Sequence, residues 1–281
     1  MKIINSLENK TIKSIIKLKE SRERKKRAEF LVDGLREIKL ALNSDYKASL
    51  LVFCPSLVKI EKKELEEVLR GFLGKGGRED GKNDGEAFEI IEVSESIFKK
   101  ISYKESPDGF LGIFKFKELG LEELVVDKKP IIILESLEKP GNLGAIIRTA
   151  SAGGLENIIL NDCLFDIYNP NVIKASEGLI FFVNIFKLKK EETLEFLKRE
   201  EIKTFIALTS AKKSYDKFNF SKNSAIILGS EANGLSDFWI KNADERLKIP
   251  MREGVDSLNV SVSAGILIYE ALRQGGFKGL E

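Results

Sequence analysis

At 281 residues the chain is long enough for two ordinary domains. Apolar residues make up 43% and charged residues 32%, a mix that fills a core and solvates a surface, which excludes disordered and fibrous classes. A net charge of +2 does not by itself announce a nucleic-acid partner, and the absence of histidine excludes His-based metal sites and Ser-His-Asp or Cys-His catalysis. In chain order, residues 3 to 28 carry apolar positions (Ile4, Leu7, Ile12, Ile15, Ile16, Leu18) at spacings that suit helices. Phe30-Leu31-Val32 reads as a strand, Leu35 to Leu42 as a helix and Ser49 to Phe53 as a strand. A charged helix from Val58 to Leu73 follows, then a strand at Ala87–Val93, a short helix at Ser96–Ser102 and a strand at Gly109–Phe116. Strands alternating with helices predict an α/β domain over 1–116.

The stretch 74–85 is too rich in glycine and charge to pack and reads as a mobile loop. Its Gly76 to Lys82 run is a near miss to a phosphate-binding loop, but Asn83 stands where a hydroxyl would hold magnesium and no strand leads into it. Residues 117–129, dense in Glu and Lys, form the candidate linker. Beyond them the alternation restarts over 130–281. Strands are expected at 130–134, 158–160, 183–186, 204–208 and 225–228, and helices at 144–152, 172–178 and 191–200. Continuous Ile, Leu and Val runs fit strands covered on both faces of a parallel sheet. Cys54 and Cys163, with no CxxC pair, read as buried thiols in a reducing compartment, and no apolar run approaches the ~20 residues that span a bilayer. MKIINSLENK has no signal-peptide core, so a cytoplasmic protein without metal or membrane partner is expected.

Parallel sheets place ligands beyond the C-terminal ends of their strands, and three polar segments fall there. The first, 135–149, has Gly141 and Gly144 at a turn leading into a helix that carries Arg148. It also resembles a dinucleotide-binding turn, with Asp162 about 20 residues on, but the glycines do not follow GxGxxG. A nicotinamide oxidoreductase therefore remains an alternative. In the second, 226–235, a strand ends at Gly229 and is followed by Ser230, Glu231, Asn233 and Gly234, with Ser236 placed as a helix cap. In the third, 249–263, Ser257 and Asn259 precede the last helix, while Ser261 and Ser263 fit a tightly packed helix face.

Taken in order, Asn142-Leu143-Gly144-x3-Arg148, Leu228-Gly229-Ser230-Glu231-x2-Gly234-Leu235 and Ile249-Pro250-Met251-x5-Ser257-Leu258-Asn259-Val260-Ser261 resemble the three motifs of the SpoU (TrmH-like) RNA ribose 2′-O-methyltransferases. A weaker likeness lies in Tyr168-Asn169-Pro170-x3-Lys174-Ala175-Ser176-x-Gly178. Arg24-x-Lys26-x3-Phe30-Leu31-Val32-Asp33-Gly34-x-Arg36-Glu37 resembles the substrate-binding domain of the ribosomal-RNA members, although Asp33 stands where Glu is common. That domain is related to ribosomal protein L30e. The resemblance implies a smaller L30e-like N-terminal α/β domain, a C-terminal parallel-sheet domain with a deep trefoil knot, and a homodimer.

It further implies an S-adenosylmethionine donor held by Leu208, Thr209, Leu228, Gly229, Ile249, Met251, Ser257, Leu258 and Asn259. Asn142, Arg148, Glu231, Ser257 and Asn259 would line the methyl-transfer site, and Arg24, Lys25, Lys26 and Arg36 would contact RNA, with 23S ribosomal RNA the expected substrate and transfer RNA the alternative. The cationic run 22–27 otherwise reads as a solvated helix face. The resemblance makes Arg148 the activator of the ribose hydroxyl. A guanidinium with a pKa above ~12 is a poor base, so a bidentate grip on a substrate phosphate is the other reading. A non-catalytic RNA-binding protein on the same fold is the third class, disfavoured by the joint presence of Arg148, Glu231 and Asn259.

Overall fold

The computed structural model describes residues 2–74, 88–126, 129–163, 165–220 and 223–280. The glycine-rich stretch from 75 to 85 lies outside the described residues. The chain divides into two compact units, Met1–Lys117 with Tyr168–Ile173, and Glu118–Ile167 with Lys174–Glu281.

The first unit runs β1 (Lys2–Ile4), α1 (Lys10–Lys17), α2 (Ser21–Arg27), β2 (Glu29–Asp33), α3 (Leu35–Leu42), β3 (Ala48–Phe53), α4 (Lys62–Gly74), β4 (Glu89–Val93), α5 (Glu95–Ile101) and β5 (Phe110–Lys115). Its sheet has the order β1-β4-β3-β5-β2, parallel across β1, β4 and β3 and antiparallel at β5 and β2. Ile12, Ile15 and Leu18 pack with Val52, Ile91, Phe98 and Leu111 in its core. The helical expectation for residues 3–28 is corrected at its start, because Lys2–Ile4 is a strand. Three residues are too few to show a period, and what makes them a strand is the open edge of β4, on which Ile3 pairs with Glu92 and Ile4 with Val93. Two helices follow, and Ala28 in the left-handed region ends the second. Tyr168 belongs with this unit: its ring stacks on Phe30 at 4.3 Å, and its hydroxyl bonds both the Lys117 amide and carbonyl.

The second unit runs β6 (Ile131–Glu135), α6 (Pro140–Ala152), β7 (Asn157–Asn161), α7 (Pro170–Ala175, begun in the segment just described), β8 (Asn184–Leu188), α8 (Lys190–Arg199), β9 (Lys203–Ala207), β10 (Lys213–Ser214), β11 (Ser224–Leu228), α9 (Asp237–Asn242), β12 (Glu245–Lys248) and α10 (Val260–Gln274). Seven strands lie in the order β10-β12-β9-β11-β6-β7-β8, and every pairing is parallel. Every residue of β6, β7 and β11 is buried, as strands covered on both faces require. The sequence does not announce β10 or β12, which are short, polar strands at one edge, where side chains need not be apolar. Helix α6 begins at Pro140, four residues earlier than expected, because proline is preformed for the first helical position and has no amide left unpaired there. Leu124, flanked by Leu119 and Leu121, packs into this unit's core. The order β12-β9-β11 sets the C-terminal ends of three strands side by side.

Candidate functional site

A cleft of about 420 Å³ opens at those strand ends, within the ~300–1,000 Å³ of small-molecule sites. Leu208 and Thr209 after β9, Leu228 and Gly229 at the end of β11, and Ile249 and Met251 after β12 form its walls. The loop Ser257-Leu258-Asn259 closes it, and Lys139 and Asp256 reach its rim. The loop after β11 is tight: the Ser230 and Gly234 amides each donate to the other's carbonyl, at 3.1 and 3.0 Å, and the Asn233 amide donates to the Ser230 hydroxyl. A Cβ on Gly229 would stand 2.1 Å from the Gly234 carbonyl carbon, so only glycine lets the loop fold back this closely.

Three segments distant in sequence are joined by one chain of side chains. Asn259 caps α10, its Oδ1 accepting from the Ser261 amide at 2.9 Å and hydroxyl at 2.6 Å. Its Nδ2 donates to Asn142 Oδ1 at 3.2 Å, and Asn142 Nδ2 donates to Glu231 Oε1. The second Glu231 oxygen is buried with no hydrogen-bond partner among the described residues. Such a group is costly unless something fills the cleft beside it. An unpaired carboxylate oxygen in a small-molecule cleft suits a ligand that carries positive charge, as the sulfonium and ammonium of S-adenosylmethionine do. The residues present therefore fit that donor.

The sequence profile of the SpoU rRNA Methylase family matches residues 129–269, half of the chain, and that of the MRM3-like substrate binding domain matches residues 9–112. The chain belongs to the SpoU rRNA methylase family. It is 27% identical over 269 residues to the 23S rRNA (guanosine(2553)-2′-O)-methyltransferase of Bacillus subtilis, covering 96% of this chain and 98% of the relative. Among solved structures, an RNA 2′-O ribose methyltransferase matches with a TM-score of 0.79 and 32% identity, covering 97% of this chain and 98% of that one. An AdoMet-bound rRNA methyltransferase from Sinorhizobium meliloti matches with a TM-score of 0.84 and 26% identity, over 97% of both chains.

In this SpoU methylase the nine residues singled out for the donor all line the cleft, and two of the methyl-transfer set, Ser257 and Asn259, are among them. Glu231 lines it as well, and Asn142 reaches it through both of its amide bonds. Arg148 does not line this cleft. It lies exposed on α6, paired with Glu177 at 2.5 Å. Glu177 and Glu135 escaped sequence reasoning. Glu135 is 2% exposed at the end of β6 and accepts from both the amide and the hydroxyl of Ser236. The signal for it was a carboxylate closing an otherwise apolar strand.

The RNA-contact assignment of Arg24 is corrected. Its side chain is buried, with Nη1 donating to the Leu18 carbonyl at 2.9 Å, the Lys19 carbonyl at 2.8 Å and the Tyr103 hydroxyl at 3.3 Å. It satisfies the carbonyls that the end of α1 leaves over. Arg27 likewise turns inward, to Ser14 and Glu29, so α2 presents Lys25 and Lys26 to solvent, and Arg36 is exposed on α3. No helix among the described residues is long and apolar enough to cross a membrane.

Proposed function

We propose that this methylase moves a methyl group from S-adenosylmethionine to the ribose 2′-oxygen of a nucleotide in 23S ribosomal RNA, in the cytoplasm. The observation that carries this reading is the Asn259–Asn142–Glu231 chain at the wall of the cleft, which gathers all three polar segments at one place. When bound, the donor supplies an electrophilic methyl group on a positively charged sulfur. Gly229, Ile249 and Leu258 hold its adenosine part through backbone groups, and Leu208, Thr209, Leu228, Met251 and Ser257 complete its walls. Glu231 would supply negative charge near the donor's cationic part. Asn142 and Asn259 fix the carboxylate's direction, and that charge favours binding of the donor, while the acceleration comes from placing the ribose hydroxyl for attack.

Arg148 grips a substrate phosphate and so places the ribose; a guanidinium is better suited to that than to accepting a proton, and the hydroxyl proton passes to solvent. It works in a homodimer, at the cleft of the partner subunit. Two features support this: Arg148 is absent from its own chain's cleft, and α10 exposes an apolar stripe through Val262, 50% exposed, and Tyr269, 43% exposed. The trefoil knot belongs to the same reading, which the interleaved order β12-β9-β11-β6 supports. The L30e-like domain selects the RNA, with Lys25, Lys26 and Arg36 on its phosphates.

The test is to map ribose methylation across ribosomal and transfer RNA from cells with and without the protein, and to repeat the transfer in vitro with tritiated S-adenosylmethionine. One 23S position should depend on the protein. Unchanged ribosomal RNA, or a lost mark in transfer RNA alone, would refute the assignment.

A further inference from the structure

Glu177, the partner of Arg148, sits in the turn that follows α7 at φ +51°, in the left-handed region. Gly178 after it is left-handed too, at φ +79°, where glycine is at ease. A glutamate is not: its Cβ crowds the following carbonyl, and a residue held this way persists where the surrounding structure fixes it.

The surroundings do fix it. The Glu177 amide donates to the Lys174 carbonyl at 3.1 Å, and Ser176 before it is fully buried. The Leu179 amide donates to the Ser176 carbonyl at 3.0 Å and the Phe181 amide to the Gly178 carbonyl at 3.2 Å, so the backbone is held on both sides of Glu177. Leu179–Phe182 is one turn of 3-10 helix that buries Ile180 and Phe181 and packs along α6, the helix carrying Arg148. This ledge brings Oε1 of the half-buried Glu177 to 2.5 Å from Arg148 Nη1.

Stability does not account for the pair. Side chains 54% and 33% exposed gain little from pairing, and glycine would fit position 177 with less strain. Nor does the carboxylate use up Arg148. A guanidinium is a planar fork of several donors, and a carboxylate on Nη1 engages one side and leaves the other for a phosphate. Both residues belong to one chain and one compact unit, so the fork is aimed before any RNA arrives.

We propose that Glu177 is a positioning residue for methyl transfer: fixed in its left-handed turn, it sets the direction of the Arg148 guanidinium, and through it the substrate phosphate and ribose. This rests on the reading of Arg148 as the phosphate grip of a ribosomal-RNA methylase. A long arginine exposed on a helix otherwise samples many rotamers, and misplacing the ribose by about 1 Å lowers the rate. The carboxylate also repels a phosphate, so its cost falls on RNA binding and its benefit on turnover. Kinetics separate the two.

The experiment uses the full-length protein, a large-subunit rRNA transcript and tritiated S-adenosylmethionine. Glu177→Gly removes the carboxylate and relieves the backbone, so its thermal midpoint should equal or exceed that of wild type. Its kcat should nonetheless fall about tenfold, while KM for the rRNA stays within about twofold of wild type or falls. In an Arg148→Ala background the same change should cost nothing further, because Glu177 acts through Arg148. Should Glu177→Gly lower the midpoint, Glu177→Asn takes its place, being tolerated in the left-handed region and too short for the ion pair. A kcat within about twofold of wild type, whichever way KM moves, or a further loss in the double variant, would overturn the proposal. The methylase reading is judged separately. It fails if the wild type transfers no methyl to rRNA, and the reading of Arg148 fails if Arg148→Ala transfers normally, whatever Glu177→Gly does.

Discussion

Glu135 and Ser236 are bound to each other twice: the Ser236 amide donates to one carboxylate oxygen at 2.7 Å and its hydroxyl donates to the other at 2.6 Å. The pair ties the end of β6 to the start of α9, across 101 residues. The clamp closes over the loop after β11, whose Gly229, Ser230 and Glu231 line the donor cleft. Glu135→Ala removes both acceptors and leaves the Ser236 amide and hydroxyl without their partner, which costs on the order of 1–3 kcal/mol. The urea midpoint should fall with an unchanged slope, and the affinity for S-adenosylmethionine should fall with it. A midpoint equal to wild type would refute the clamp.

Arg148→Ala should bind S-adenosylmethionine with wild-type affinity by calorimetry and lose at least about a hundredfold in methyl transfer to rRNA, as loss of a positioning contact does. Its ion pair with Glu177 is solvent-exposed, 54% and 33%, and contributes at most ~1 kcal/mol, so the thermal midpoint should barely move. Near-normal transfer would remove Arg148 from the site.

Arg24 and its neighbours Lys25 and Lys26 should separate cleanly. Arg24→Ala strips three carbonyl and hydroxyl acceptors of their buried donor and should destabilise the protein by about 2–4 kcal/mol. Lys25→Ala and Lys26→Ala should leave the urea midpoint alone, and each should reduce the salt slope of rRNA binding by about 1. A destabilised Lys25 variant, or a stable Arg24 variant with weakened RNA binding, would contradict this division.

Two glycines in one loop should respond differently to alanine. Gly229→Ala forces backbone atoms apart and should cost ~1–3 kcal/mol and most of the donor affinity. Gly234, at φ +65°, has open space where a Cβ would go, so Gly234→Ala should cost only the left-handed conformation, ~1–2 kcal/mol. Equal loss of donor binding in both would mean that backbone conformation, rather than close approach, governs the loop.

The buried strands were plain in the chain itself. Ile131-Ile132-Ile133-Leu134 and Ala225-Ile226-Ile227-Leu228 are short β-branched runs with no polar face, the pattern of strands covered on both sides. Glu231, an acid just past the end of a buried strand, could be picked out locally, whereas Asn142, Ser257 and Asn259 stood out only through the motifs they share with the family, since Asn259 also reads as an ordinary helix cap. The strand Lys2–Ile4 and the edge strands β10 and β12 could not be found that way, since their pairing partners lie elsewhere in the chain and no local pattern encodes a neighbour's open edge. The direction in which a cation points is also a tertiary property. Arg24 and Lys25 are adjacent and chemically alike in sequence, yet the step of about 100° between neighbours on a helix sends the first to the carbonyls just after α1 and leaves the second in water. Glu135 shows the same limit. Its carboxylate became a clamp only when the fold brought Ser236 within 2.7 Å, and hydrogen bonding acts through that distance, not through separation along the chain.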